Sequence, residues 1–174
     1  SYTYVTDIEV VDATTLRNAE HQKLISKTHW KLDNNETISY SFLGPGSSYD
    51  NTQSDIKECS GLIAVTDAFK AATKSAFDII SSFANITFEE ISETGNVTGD
   101  FRIGIANKDA FVMDEKYGAY SHGVTNFPKG GNIFFNGTVD KNVNGIVDYN
   151  EADQVQPGTW HFATFLHEIC HSLG

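Results

Sequence analysis

Cationic residues are scarce in this chain of 174 residues: 12 Lys and Arg stand against 23 Asp and Glu, a formal net charge of −11. That balance excludes a nucleic-acid partner, which needs a basic footprint. It also works against an anionic membrane surface, and its plain meaning is a solubilising surface charge. No stretch approaches the roughly 20 apolar residues of a membrane span. Residues 1–5 have neither the charged n-region nor the apolar h-region of a signal peptide, although a leader removed upstream is compatible with them. Cysteine is limited to Cys59 and Cys170, too few for a disulfide scaffold; they form one bridge or two free thiols. Asn35, Asn85, Asn96 and Asn136 begin N-x-T triplets, read as coincidence in a chain rich in Asn and Thr.

What is present fits one domain with its own core. A loose apolar stripe, Leu16, Ala19, Leu24 and Ile25, predicts a helix over about 12–30, capped by Asp12 or Thr14. Residues 37–43 alternate polar and apolar, as a strand with one buried face does. Gly44-Pro45-Gly46 ends that strand, and a polar loop is expected up to Ser60. Leu62, Val65, Phe69, Ala72, Ala76, Ile80 and Phe83 recur at helical spacing and predict a long helix over 61–83. Further strands are expected at 86–91, 100–106 and 132–136, with 107–118 irregular. A last helix is expected from Thr159, its apolar face built by Phe162, Phe165, Leu166, Ile169 and Leu173. This order predicts an α+β or mixed α/β fold, a twisted mixed sheet of mainly five strands backed by the long helix.

Two motifs carry chemistry. The chain ends on His167-Glu168-Ile169-Cys170-His171-Ser172-Leu173-Gly174, an H-E-x-x-H-x-x-G pattern. Helical positions four apart lie about 40° apart around the axis, so both imidazoles can face one metal ion. Glu168 stands beside them, placed to take a proton from a metal-bound water. A hydrolytic zinc site uses three protein ligands and a water, and this motif supplies two. Residues 140–151 match the calcium loop D-x-N-x-N-G-x-x-x-x-x-E. Asp140, Asn142 and Asn144 would give side-chain oxygens and Ile146 its carbonyl. Asp148 would act directly or through water, and Glu151 would close the site with two oxygens. Gly145 permits the turn and Val147 anchors it. The flanks are not paired helices, so the loop reads as a structural clip rather than a sensor.

The other histidines invite plainer readings. His21 and His29 are expected on the surface of the first helix, His161 is expected to pack or cap, and His122 is read as a loop residue near the cleft. Cys170 turns about 100° away from His171 and is expected to be packed or bridged rather than a ligand.

Phe165-Leu166-His167-Glu168, His171 and Leu173-Gly174 resemble the zinc helix of the metzincin metalloproteases, most closely their serralysin branch. The helix expected to end at Trp30, followed by Ile38-Ser39-Tyr40-Ser41-Phe42, resembles the start of serralysin catalytic domains, and the 61–83 helix resembles the long helix that backs their sheet. Gly118-Ala119-Tyr120 resembles their edge strand. Gly131-Asn132-Ile133-Phe134-Phe135-Asn136 resembles the strand before the zinc helix.

The resemblance implies a secreted zinc endopeptidase. It would hydrolyse peptide bonds in extracellular proteins through a zinc-bound water, with Glu168 as general base and His167 and His171 as ligands. An extended protein or peptide substrate would pair with the strand at Ala119 and Tyr120. A third zinc histidine is implied three residues past Gly174, with a methionine-containing turn further on. Both lie beyond this sequence, and Met113 precedes the zinc helix. Cys170 stands where the family usually carries glycine. The expectation is the N-terminal part of a catalytic domain over 1–174, with a calcium-loop insertion at about 137–156 and the remainder of the domain as its partner. The alternative is a catalytically inactive calcium-binding module, or a processed fragment lacking the third ligand. A calcium-dependent adhesion or scaffold domain is a third reading, which leaves Glu168 unexplained.

Overall fold

A computed structural model describes residues 3–4, 8–12, 28–31, 37–49, 56–125 and 129–174. The fold is mixed α/β, with a mostly parallel sheet and three helices among the described residues. Strands β1 (Thr3–Tyr4), β2 (Glu9–Asp12), β3 (Thr28–Lys31) and β4 (Thr37–Phe42) come first. They are followed by α1 (Ile56–Ser60), β5 (Leu62–Ile63), α2 (Asp67–Phe83), β6 (Thr87–Glu90), β7 (Val97–Thr98) and β8 (Phe101–Asn107). The chain closes with β9 (Ala119–Ser121), β10 (Ile133–Gly137), a 3-10 turn at Asp148–Asn150 and α3 (Trp160–Leu173).

The main sheet has the order β6-β4-β8-β10-β9, with β5 paired to the end of β8. β6, β4, β8 and β10 run parallel, whereas β9 is antiparallel to β10 and forms an edge. One face carries Ile38, Tyr40, Phe101, Ile103, Ile105, Ile133 and Phe135 against α2 and α3. The period-two alternation of the sequence puts those residues on one side. At the junction of β10 and both helices three rings meet. Phe135 and Phe165 lie 4.4 Å apart, and Phe69 packs on Phe135 at 5.2 Å and on Phe165 at 5.1 Å. The opposite face is polar as well as buried. Arg102, almost fully enclosed, gives two hydrogen bonds to the Glu93 carboxylate (2.7 and 2.8 Å) and one to the Ser48 carbonyl (2.6 Å). A buried charge of this kind is tolerated because it is paired and hydrogen-bonded.

Two helix boundaries differ from the sequence expectation. The helix over 12–30 is contradicted at both ends, because Glu9–Asp12 and Thr28–Lys31 pair as antiparallel strands; residues 13–27 lie outside the described residues. The long helix begins at Asp67 rather than Gly61. Thr66 caps it, accepting the Phe69 amide, and Leu62–Ile63 pairs instead with Ala106 and Ile105. Leu62 and Val65 matched the helical spacing, but their neighbours in β8 claim that stretch. The loop expected before Ser60 also holds α1. β4, β6, β8, β10 and α3 fall within a residue or two of expectation, whereas β7 and its pairing with β1 had no counterpart in the sequence reading.

Candidate metal centre and cleft

Thr159 opens α3, its hydroxyl accepting the Phe162 amide at 3.0 Å, and Gly174 closes it with φ 98°, a conformation suited to glycine. Phe162, Phe165 and Ile169 face the core, while His167 and His171 stand on the solvent side. Their Nε2 atoms converge to 2.9 Å, with the rings nearly perpendicular at 85°. A tetrahedral zinc ion with Zn–N bonds of about 2.0–2.1 Å spaces two nitrogens about 3.3 Å apart, a small side-chain rotation from what is seen. Partial burial, and then the neighbouring His167, push His171 below the usual imidazole range, which favours the neutral, ligating form. The pair fits half of a zinc site. Among the described residues, no three His, Cys, Asp or Glu side chains gather closely enough to hold a metal ion.

Glu168 is buried, 6% exposed, with Oε1 4.0 Å from His167 Nε2. Burial raises its carboxyl above the usual carboxylate range, offset in part by His167 and by the Ser121 backbone N–H. A carboxylate shifted in that direction is better matched to general-base work near neutral pH.

β9 runs beside α3, and the cleft between them, about 1070 Å³, holds both histidines and Glu168. The His122 amide donates to Asn132 and the Asn136 amide donates to Gly118. By the alternation of an antiparallel ladder, the even residues of β9 face β10, and the backbone groups of Ala119 and Ser121 point away, toward the cleft. Ala119 is therefore on the free edge, as the peptide-pairing expectation requires. Tyr120 is not: its backbone belongs to the sheet and its hydroxyl donates to Glu58.

A serine relay missed in the sequence fixes this arrangement. The Gly123 amide donates to Ser121 Oγ (2.8 Å), Ser121 Oγ lies 2.7 Å from Ser172 Oγ, and Ser172 Oγ donates to the Gly131 carbonyl (3.1 Å). The Trp30 indole N–H meets the Ser172 carbonyl at 2.7 Å. Nothing local in Ser172 signals this role; it arises from contacts distant in sequence.

The second motif is partly gathered. Asn142 and Asn144 donate their amide N–H groups to Glu151, at 2.8 and 2.6 Å. Asp140 accepts the Gly145 amide at 2.8 Å, and Gly145 takes φ 84° at the turn. Val147 packs on the core as the anchor. Asp148 bonds within the loop through Oδ1, and its buried Oδ2 makes no hydrogen bond among the described residues. It is buried, accepts the Lys141 amide at 2.8 Å, and lies 3.3 Å from His161 Nε2. Burial lowers the His161 pKa despite that carboxylate. His161 thus packs, as expected, and links the loop to the first turn of α3. Asn150 ties the loop's exit to α2 through hydrogen bonds with Thr66 and Ala64.

Cys59 is buried and Cys170 exposed, and both are free thiols, so the bridge alternative is excluded. Partial burial pushes the Cys170 thiol up, which keeps it protonated at neutral pH. His122 borders the cleft, packed edge-on to Tyr120. His21 lies outside the described residues. No helix among the described residues is long and apolar enough to cross a membrane. Comparison with known protein families finds no match, and comparison with curated proteins finds none either.

Proposed function

We propose that this chain carries the zinc-binding half of a metzincin-like, serralysin-type endopeptidase centre, acting on extended peptides in secreted or extracellular settings. The observation that carries the reading is the convergence of His167 and His171 Nε2, 2.9 Å apart, beside a buried carboxylate at a free strand edge. The chain order supports it: the parallel sheet, the long helix behind it, the antiparallel edge strand and the histidine helix follow as the resemblance implies. His167 and His171 would hold zinc, which would supply Lewis acidity toward a carbonyl and a more acidic water. The chain's own residues do the rest. Ala119 offers backbone groups to an extended substrate. The Ser121 N–H orients Glu168. Glu168 takes the proton of the attacking water and passes it to the departing amine nitrogen.

Calcium is the second ion in this reading. Turning the Asn142 and Asn144 amides by 180° brings their oxygens to where their nitrogens now meet Glu151. A cation would then replace the amide hydrogens as the partner of those oxygens. It would clip the strand β10 to the helix α3.

A second reading has an observation of its own. Asn142, Asn144 and Glu151 come together in the loop at 140–151, which suits a catalytically inactive calcium-binding module. The test is casein or peptide hydrolysis by zinc-loaded protein against Glu168→Gln. Turnover lost in the variant supports the peptidase. No turnover in either, with a calcium-dependent rise in Tm, supports the module.

A further inference from the structure

Trp160 is the largest exposed side chain of α3, 61% accessible, yet it is not loose. Its six-membered ring rests on Gly118. A methyl group there would run into the Tyr149 hydroxyl and come within 2.7 Å of the Trp160 ring. His161 packs edge-on to the indole at 5.3 Å. An exposed aromatic surface held rigid by a glycine loses little entropy on binding. Tyr117, 45% exposed, faces the same depression of about 310 Å³, which continues into the histidine cleft through Ala119, Ala163, His167 and Glu168.

The geometry places that depression along the path of a peptide. As the chain runs from Lys116 to Gly123, the facing residues of α3 run from Trp160 to Gly174. A peptide paired with β9 would therefore lie along the exposed stripe of the helix. Trp160 and His167 are seven residues apart, a rise of about 10.5 Å. At about 3.3 Å per residue, an extended peptide covers that distance in three residues.

We propose that Trp160 and Tyr117 wall a side-chain subsite for one aromatic or large aliphatic residue, three positions from the bond held at His167 and His171. The proposal rests on the peptide-groove reading above. It commits to an apolar side chain because the walls are two aromatic rings over Gly118, Ala119 and Ala163; Lys116, Thr164, His167 and Glu168 complete the lining.

The test uses Glu168→Gln protein with zinc, so that peptide is bound without being consumed. The probes are fluorescein-labelled octapeptides of alternating alanine and serine, with one phenylalanine walked through every position, read by anisotropy. One phenylalanine position binding about tenfold tighter than the parent supports the subsite. So does loss of that gain in Trp160→Ala, its retention in Trp160→Phe, and an unchanged affinity for the parent peptide. Circular dichroism confirms that each variant is folded. Equal binding wherever phenylalanine stands, or a Trp160→Ala effect shared by all peptides, overturns the subsite and leaves the groove standing. No binding of any peptide overturns both.

Discussion

Ser121 Oγ and Ser172 Oγ lie 2.7 Å apart, joining the edge strand to the last turn of the histidine helix. Ser172 follows His171 directly, and Ser121 also presents its backbone N–H to Glu168. One contact therefore fixes the spacing between the free strand edge, the proposed base and one proposed ligand. Ser172→Ala removes the partner of Ser121 and leaves the Gly131 carbonyl without its donor. Buried groups stranded in this way cost about 1–3 kcal/mol. Urea unfolding should show a lower midpoint with an unchanged slope. A loss below about 0.5 kcal/mol would show that the relay contributes little.

Glu168 is predicted to trade stability for chemistry. Its pKa is raised in the folded state, so the fold binds the proton more tightly than the unfolded chain does. That contribution is present below the ordinary carboxylate pKa and is lost as pH rises through the folded value. At neutral pH the buried charge is a net cost, and Glu168→Gln should raise Tm by roughly 2–4 °C. In metal-free protein the Glu168 carboxyl should titrate above the ordinary carboxylate range, read by carboxyl carbon-13 NMR. A Tm lowered by the substitution, or a carboxyl titrating below that range, would contradict this account of the carboxylate.

Calcium should stabilise the chain through the loop at 140–151. At a hundredfold excess over Kd, a ligand of the folded state adds about 2.7 kcal/mol. For a domain of this size that raises Tm by about 5–10 °C. Glu151→Gln, which removes the charge that Asn142 and Asn144 both approach, should erase most of the rise. Equal melting temperatures with calcium and with a chelator would remove calcium from the account.

The helix that carries His167 and His171 was legible because everything about it is local. Its apolar period, its threonine cap and the spacing of the two histidines all lie within 16 residues, Thr159 to Gly174. The core face of the sheet was legible from alternation, whereas the edge strand was expected only from the resemblance of Gly118-Ala119-Tyr120. Residues 62–63 were misread because their strand is decided by Ile105 and Ala106, some forty positions away; the one local warning was the Thr66-Asp67 cap. Thr28–Trp30 was misread for a similar reason, its partner being β2. In the calcium motif, spacing singled out Asn142, Asn144 and Glu151, which the fold brings within hydrogen-bond reach of one another. It gave no hint that Asp148 turns to His161, because that contact belongs to the packing of α3 against the loop. The sequence named Ala119 and Tyr120 together; which of the two turns its backbone outward is decided only by the pairing with β10.

The central claim is that His167 and His171 bind one zinc ion together through Nε2. Long-range nitrogen–proton NMR of the imidazoles during a zinc titration reads it most directly. The account predicts that the Nε2 signals of His167 and His171 move together, saturating at one equivalent of zinc, while those of His122 and His161 stay in place. Zinc that leaves both signals unmoved, or that shifts another histidine first, would contradict it.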